Sequence, residues 1–305
     1  MAEGAPVPWG GSSQPLATDG TVSGFACIGS TLYLAGSFTS VGPNTGGGVP
    51  VDPSSGKPVP CYARVNGIVY SCVSDGRGGW FLGGDFTAVG GVPRMNLAHV
   101  QADGSLACLR ADTDGAVRAL ALDGQTLYLG GDFTHVASEK RDHLAAVSVG
   151  SSELTTWKPE VSGIAWYFTT VYCILPTTAA VFVGGDFTSV QGENRSCLAA
   201  LDCCTPDVQA FDPAPDGPVH ALVCSDSSLY LGGTFDHVDQ QPCRGLALVS
   251  ARSGELRPWS GSIASSVYDY DGPYYVSAMA ICDTSLYIVG HFTRVDGEVR
   301  AESRP

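Results

Sequence analysis

The chain has 305 residues, with 39 glycines, only 15% charged residues and a formal net charge of −14. This acidic balance argues against nucleic acid as a partner, because phosphate binding needs a basic surface. The composition favours sheets and turns, and no stretch approaches the roughly 18 apolar residues of a membrane helix. We therefore expect no membrane insertion.

A signal of two small residues, any residue and a phenylalanine recurs along the chain. Clear examples are Gly83–Phe86, Gly130–Phe133 and Gly184–Phe187. Its six phenylalanines lie 47 to 57 residues apart: Phe38, Phe86, Phe133, Phe187, Phe235 and Phe292. A period of this size indicates a repeat architecture.

Residues 115–160 show the template of one repeat. Four segments have the composition of strands: Val117–Leu122, Thr126–Thr134, Leu144–Val147 and Glu153–Trp157. An Asp-Gly pair between the first two is typical of a hairpin turn. Four short antiparallel strands per repeat, without a helical period, predict the blade of a β-propeller.

We therefore predict one all-β domain over residues 1–305, a six-bladed β-propeller with four-stranded blades. The predicted blades span about 21–64, 67–111, 115–160, 163–213, 217–260, and 262–305 together with 5–10. The N-terminal strand near Trp9 would close the last blade, and closure removes open sheet edges. The last blade ends early at Pro305, so we expect the chain to be part of a longer chain or assembly. A missing seventh blade is the alternative.

The repeat resembles the GGxF-type propeller repeats of large bacterial surface and secreted proteins, and those of the fungal cortical polarity-marker family. The resemblance lies in blocks such as Leu127–Thr134, Leu198–Asp202 and Arg257–Trp259, and it covers nearly the whole chain. It implies a non-catalytic extracellular or cell-surface module. The eleven cysteines depart from the cysteine-poor bacterial pattern.

Five cysteines fall near the end of the first strand in five repeats: Cys27, Cys72, Cys173, Cys224 and Cys282. A shared position is typical of small buried apolar residues. Disulfides are the alternative, either Cys61 with Cys72, or Cys197 with Cys203 or Cys204. No CxxC and no zinc-like Cys/His spacing occurs, so we predict no metal site and no cofactor.

Charged residues also follow the repeat. An aspartate after the glycine pair precedes an arginine by nine residues in three repeats: Asp85 and Arg94, Asp132 and Arg141, Asp186 and Arg195. We interpret these as structural ion pairs, or as hydrogen bonds that hold the loop between two strands in place, which we call loop staples. A catalytic site, by contrast, is normally unique. Arg118 and His220 share a position on the first strands, which line the centre of a propeller. No nucleophile or metalloenzyme motif occurs, and we predict no catalytic residue.

Two repeats carry insertions before their first strand, at about 163–170 and 262–275. They bring Tyr275 and six further aromatic residues: Trp166, Tyr167, Phe168, Tyr268, Tyr270 and Tyr274. Both insertions should emerge on one face, because this connection lies beside the loop after the phenylalanine. Aromatic residues among small polar ones are typical of recognition surfaces. We predict that these six bind a partner; packing back onto the blades is the alternative.

Asn194 begins an N-glycosylation sequon, Asn194-Arg195-Ser196, in a polar loop. Together these features favour a binding or scaffolding module for a protein or glycan partner, outside the cell or at its surface. Two alternatives stay open. One is a structural subunit of a fibre or appendage, and the other is a propeller hydrolase or lyase with its site at the central channel.

Overall fold

The computed structural model describes residues 18–28, 31–39, 46–52, 54, 57–59, 62–109, 111–163, 169–259, 261–264, 274–283, 285–295 and 298–299. This part of the chain consists of β-strands and loops and contains no α-helix. Among these residues there is consequently no helix that could cross a membrane. The predicted all-β class is confirmed.

We call each run of strands around one glycine-containing hairpin a unit. The first two units contain Thr21–Ile28 (β1), Thr31–Ser37 (β2), Gly46–Asp52 (β3), Lys57–Pro58 (β4), Val65–Ser74 (β5), Trp80–Val89 (β6), Val92–Pro93 (β7) and Leu97–Val100 (β8). These strands form one eight-stranded sheet rather than two separate ones, because β3 and β5 pair in parallel. Gly46 and Gly47 make this close approach possible, since they have no side chains.

The next four units follow in chain order. The third contains Val117–Asp123 (β9), Thr126–Gly131 (β10), His135–Val136 (β11), Glu139–Lys140 (β12), Leu144–Ser148 (β13) and Glu153–Leu154 (β14). The fourth contains Val161–Ser162 (β15), Thr170–Pro176 (β16), Val181–Asp186 (β17), Ser189–Val190 (β18), Glu193–Asn194 (β19) and Leu198–Leu201 (β20). The fifth contains Val219–Ser225 (β21), Ser228–Gly233 (β22), His237–Val238 (β23), Gln241–Pro242 (β24) and Leu246–Ser250 (β25). The sixth contains Ile263–Ala264 (β26), Tyr275–Cys282 (β27), Ser285–His291 (β28), Arg294–Val295 (β29) and Glu298–Val299 (β30).

The fourth strand is weaker than the sequence predicts. The third unit has the full antiparallel order β9, β10, β13 and β14. In the fourth and fifth units three strands align, and single bridges, Leu201–Val208 and Val249–Leu256, take the place of the fourth. Pro206 and Pro258 lie two residues from these bridges and cannot donate a backbone hydrogen bond to a ladder.

The connection before each first strand lies against the loop after the phenylalanine. β15 pairs with β18 in the fourth unit, and β26 pairs with β29 in the sixth. Single bridges, Thr113–Val136 and Pro215–Val238, repeat this arrangement in the third and fifth units. The short strands β15 and β26, which precede the two insertions, therefore occupy equivalent positions in their units, whereas most of each insertion lies outside the described residues.

The first glycine of the pair is where the next unit packs. A Cβ at Gly130 would lie 2.6 Å from Cγ1 of Val171, and one at Gly232 would lie 2.7 Å from Cγ1 of Val276. Both valines belong to the first strand of the following unit. The phenylalanine after the pair is fully buried in the third, fourth and fifth units. Successive sheets thus pack face to face, and their first strands lie side by side in chain order. The predicted closing strand, 5–10, lies outside the described residues.

Eight cysteines are free thiols: Cys108, Cys173, Cys197, Cys203, Cys204, Cys224, Cys243 and Cys282. Cys197 is buried and accepts a hydrogen bond from the Ser196 hydroxyl, so the alternative disulfide from Cys197 to Cys203 or Cys204 is not formed. Burial raises the pKa of the Cys173 thiol, in keeping with a small apolar residue in the core. Cys61 lies outside the described residues.

Candidate functional site: the bulge cavity

Each of the six hairpins contains a β-bulge at the same place. The first strand has one extra residue opposite the glycine pair of the second strand, or opposite its counterparts Ala35-Gly36 and Val289-Gly290 in the first and sixth units. A bulge changes the direction of the side chain of the extra residue. The bulged residues are Ser23, Tyr70, Arg118, Tyr172, His220 and Ser277. The same β-bulge therefore carries a different residue in successive units.

Five of these side chains meet at a cavity of about 200 Å³, which we call the bulge cavity. Its lining residues are Tyr70, Arg118, Tyr172, His220 and Ser277, together with Tyr275. Tyr275 is the last residue of the second insertion and the first residue of β27. Because the first strands are neighbours, five units contribute to one small space.

Arg118 is held by a carboxylate of its own unit. Its Nε lies 2.9 Å from Asp132 Oδ1, and its Nη2 lies 2.7 Å from Asp132 Oδ2. The Thr170 hydroxyl, on β16 of the next unit, donates a hydrogen bond of 2.8 Å to Asp132 Oδ1. Hydrogen bonding to Asp132 raises the pKa of Arg118. The guanidinium is thus fixed and charged, while its Nη1 edge is not used by the carboxylate.

Aromatic rings surround this cation. Arg118 Cζ lies 4.8 Å from the centroid of the Tyr70 ring, which is within cation–π range. The rings of Tyr172 and His220 have centroids 4.6 Å apart, and those of His220 and Tyr275 are 6.1 Å apart. Burial raises the pKa of Tyr172, so its hydroxyl stays protonated and can donate a hydrogen bond.

His220 is neutral at physiological pH, because burial lowers its pKa. Its Nε2 lies 3.0 Å from the Thr234 hydroxyl, on the residue that follows the glycine pair. Arg118 and Asp132 occupy the same two positions in the third unit, two units earlier in the chain. The bulge cavity therefore offers flat aromatic faces, one fixed cation and several polar hydrogens.

The structure describes one of the six predicted partner-binding residues, Tyr274. Its hydroxyl donates a hydrogen bond to Asp236 Oδ1 in the fifth unit, and its ring packs on the cluster around Val276. Burial and this hydrogen bond raise the pKa of Tyr274 to about 12. Tyr274 precedes Tyr275, so the second insertion ends at the bulge cavity. The other five lie outside the described residues: Trp166, Tyr167, Phe168, Tyr268 and Tyr270.

The repeated arginines are loop staples, as one of the two interpretations predicts. Arg141 is buried and donates hydrogen bonds of 3.0 and 3.2 Å to the carbonyl oxygens of Lys140 and Thr155. Arg195 makes equivalent bonds in the next unit. The ion pair predicted between Arg141 and Asp132 is wrong, because Asp132 instead holds the bulged residue of its own hairpin.

A second staple uses an aspartate before the first strand. Asp114 accepts hydrogen bonds of 2.7 Å from the Thr134 amide and 2.8 Å from the His135 amide. Asp216 binds His237 in the same way two units later. These hydrogen bonds outweigh the desolvation of Asp114 and lower its pKa to about 2. The histidines at this repeat position are therefore structural.

Sequence reasoning located Arg118 and His220 but missed Tyr70, Tyr172 and Ser277. A usable signal exists, because the bulged residue precedes the residue after the glycine pair by 14 positions in the third and fifth units. The same offset finds Tyr172 and Ser277. Tyr70 lies one position further away, since the turn of its hairpin is longer.

Residues 74–106 match a family model described as a "Domain of unknown function (DUF5122) beta-propeller". No curated protein matches the chain. The extracellular domain of the hybrid two component system BT3049 from B. thetaiotaomicron is similar over 93% of this chain and 34% of its own, with 10% identity and a TM-score of 0.56. For the extracellular domain of the one component system BT4673 from the same organism, these values are 92%, 32%, 15% and 0.50. For the WD40 domain of Neurospora crassa Pan2 they are 88%, 86%, 10% and 0.52.

The chain spans about a third of the length of the BT3049 and BT4673 chains. At 10 to 15% identity, these similarities concern the fold alone. With the repeated antiparallel sheets, they show that this chain has a β-propeller fold.

Proposed function

We propose that this chain is a non-catalytic binding or scaffolding module that contacts a protein or glycan partner through one face. Its architecture would be a six-bladed propeller with the predicted blade boundaries, closed by the N-terminal strand. The six hairpins that share a bulge at the same position support this number of blades. The proposed face carries the bulge cavity and both insertions.

The observation that carries the proposal is the variation of side chains at a constant backbone position. Glycines, phenylalanines and loop staples repeat because they stabilise each unit. The bulged residues vary, since they comprise two tyrosines, an arginine, a histidine and two serines. Chemical variety on a repeated scaffold is what recognition of a particular ligand requires, whereas packing alone favours the same residue each time.

Binding is favoured over catalysis by the state of the ionisable groups. Both oxygens of Asp132 accept hydrogen bonds from Arg118, and one also binds Thr170. His220 already contacts Thr234. A general base needs a free acceptor within reach of the proton that it removes, and both oxygens of Asp132 already accept hydrogen bonds.

The size and lining of the bulge cavity favour a polar ring as the element that is recognised. A volume of about 200 Å³ is below the usual range for drug-sized ligands. It suits one sugar ring or one side chain of a protein partner. Tyrosines offer flat apolar faces and a hydroxyl at low entropic cost, and the remaining contacts would come from the insertions.

The experiment compares ring removal inside and outside the bulge cavity. Tyr172→Ala and Tyr275→Ala each remove one lining ring, whereas Tyr287→Ala removes a ring that is 60% exposed on the last hairpin. Binding is measured on a glycan array and by pull-down of extracellular proteins. We expect the two cavity variants to lose at least about tenfold in affinity and the control to bind as the original chain does.

Other results would redirect the proposal. Full binding by both cavity variants, with loss in Trp166→Ala and Tyr270→Ala, would place recognition in the insertions alone. Full binding by all four would exclude this face. Cleavage of arrayed glycans that is lost in His220→Ala would favour the hydrolase alternative.

The proposed extracellular or cell-surface location has a separate test at Asn194. This residue is exposed on β19, where an oligosaccharide can be attached without disturbing the main sheet. Expressed through a eukaryotic secretory pathway, the chain should gain a glycosidase-sensitive mass that Asn194→Gln abolishes. An unmodified secreted chain would contradict the assignment of Asn194.

A further inference from the structure

An adjacent pair of cysteines lies at the turn that follows β20 in the fourth unit. Cys203 and Cys204 are both exposed, and their Sγ atoms are 3.7 Å apart. A carboxylate oxygen of Asp202 completes a group of three donor atoms that all lie within 4.8 Å of one another. This group shares no residue with the bulge cavity, and the lining residues of that cavity include no cysteine.

The pair departs from the repeat. At the positions equivalent to Cys203 and Cys204, the second, third and fifth units carry Ala102-Asp103, Val149-Gly150 and Ala251-Arg252. Cysteine is among the most buried residue types, and its chemistry rather than its packing usually explains an exposed one. Two adjacent exposed cysteines therefore call for an explanation other than turn formation.

The sulfur separation fits a chelate. In a tetrahedral zinc site with Zn–S bonds of about 2.3 Å, two thiolates lie about 3.8 Å apart. The observed 3.7 Å between the Sγ atoms means that one metal ion could bind both sulfurs without movement of the backbone.

Asp202 is oriented as a third ligand. Its Oδ1 accepts hydrogen bonds of 2.8 Å from the Cys204 amide and 2.9 Å from the Thr205 amide. These bonds fix the carboxylate, as outer contacts commonly fix metal ligands. Both of these bonds are made to Oδ1.

We propose that Asp202, Cys203 and Cys204 bind one thiophilic divalent cation of the Zn²⁺ type, with water in the fourth position. The two thiolates alone balance the charge of a divalent cation, so that the site with the Asp202 carboxylate carries one net negative charge. Soft sulfur ligands select such a cation over Mg²⁺ and Ca²⁺. Binding releases two protons, one from each thiol. The site is independent of the proposed function, because it needs neither the bulge cavity nor the insertions.

The test uses Co²⁺ and Cd²⁺ as spectroscopic probes on the full chain, reduced and kept under nitrogen. Bound Co²⁺ should show tetrahedral d–d bands, and both metals should show thiolate-to-metal charge transfer at one equivalent per chain. Cys203→Ser and Cys204→Ser should each halve the charge-transfer intensity, and the double variant should abolish it. Asp202→Asn should weaken binding by roughly tenfold, the lower end of the usual cost of a lost metal-site contact. Binding should be tighter at pH 8 than at pH 6, because thiols lose protons.

Matched controls are Cys108→Ser and Cys282→Ser, which remove exposed cysteines elsewhere. These variants should bind the metals as the original chain does. The proposal is overturned if the double variant retains the charge-transfer band, or if the spectra show octahedral Co²⁺ without sulfur ligation. All these substitutions are at exposed or half-exposed positions, and a thermal melt confirms that each variant is folded.

Discussion

The third unit and the last hairpin have nearly the same strand sequence in very different surroundings. Tyr128 is 3% exposed and meets Trp157 edge-on, with ring centroids 5.1 Å apart. Tyr287 occupies the same repeat position and is 60% exposed. The strand residues alone therefore do not decide burial; the sheet that packs against them does.

The glycine position explains part of this difference. Gly130 leaves room for Val171 of the following unit. The last hairpin has Val289 at this position, and its side chain is 58% exposed. A side chain here prevents the close approach seen between the third and fourth units. The glycine is thus a signal of a tightly packed neighbour, not a requirement of the hairpin itself.

The largest expected effect comes from the buried phenylalanine. Phe133→Ala should destabilise the chain by about 3–5 kcal/mol, because it leaves a cavity in a fully buried site. Phe292→Ala, at the same position in the sixth unit, should cost about 2 kcal/mol or less, since Phe292 is only partly buried. Urea unfolding followed by Trp fluorescence measures both.

Equal losses at the two positions would contradict the comparison. They would mean that the last hairpin is packed as tightly as the third unit.

The second test exchanges the residues of the glycine position. Gly130→Val should cost about 1–3 kcal/mol or more through overpacking against Val171. The reverse change, Val289→Gly, should cost less than about 1 kcal/mol, the usual penalty of glycine in a strand. Thermal unfolding of the two variants gives the ranking, and a stable Gly130→Val variant would show that the sheets can separate without loss.

Much of this fold could be predicted from the sequence, because the repeated residues determine local structure. Alternating strands, Asp-Gly turns and the glycine pair give the hairpins without any knowledge of tertiary contacts. The parallel pairing of β3 with β5 could not be predicted in this way. It depends on Gly46 and Gly47 meeting a strand of another unit, and the repeat pattern of the sequence gives no signal of that contact.

The candidate site was harder to predict, for a physical reason. A side chain at a bulge faces a direction that strand alternation does not give, so Tyr70 and Tyr172 read as ordinary strand residues. The partner of Asp132 was misassigned because sequence spacing favoured Arg141 in the loop. In the folded hairpin Arg118, on the neighbouring strand, is closer.

The smallest expected effect is at the Asp114 staple, and it depends on pH. The folded-state pKa is about 2, below the unfolded value of about 3.9. The staple therefore contributes stability above pH 4 and loses it as pH falls towards 2. Because the Asp114 side chain is 45% exposed, solvent screening limits this contribution to about 1 kcal/mol or less. Asp114→Asn should be less stable than the original chain at pH 7, and the two should converge near pH 2. The control is Val289→Gly, which is remote from the staple and should show the same dependence of stability on pH as the original chain. If stability changes with pH in parallel for Asp114→Asn and the original chain, this carboxylate does not support the loop.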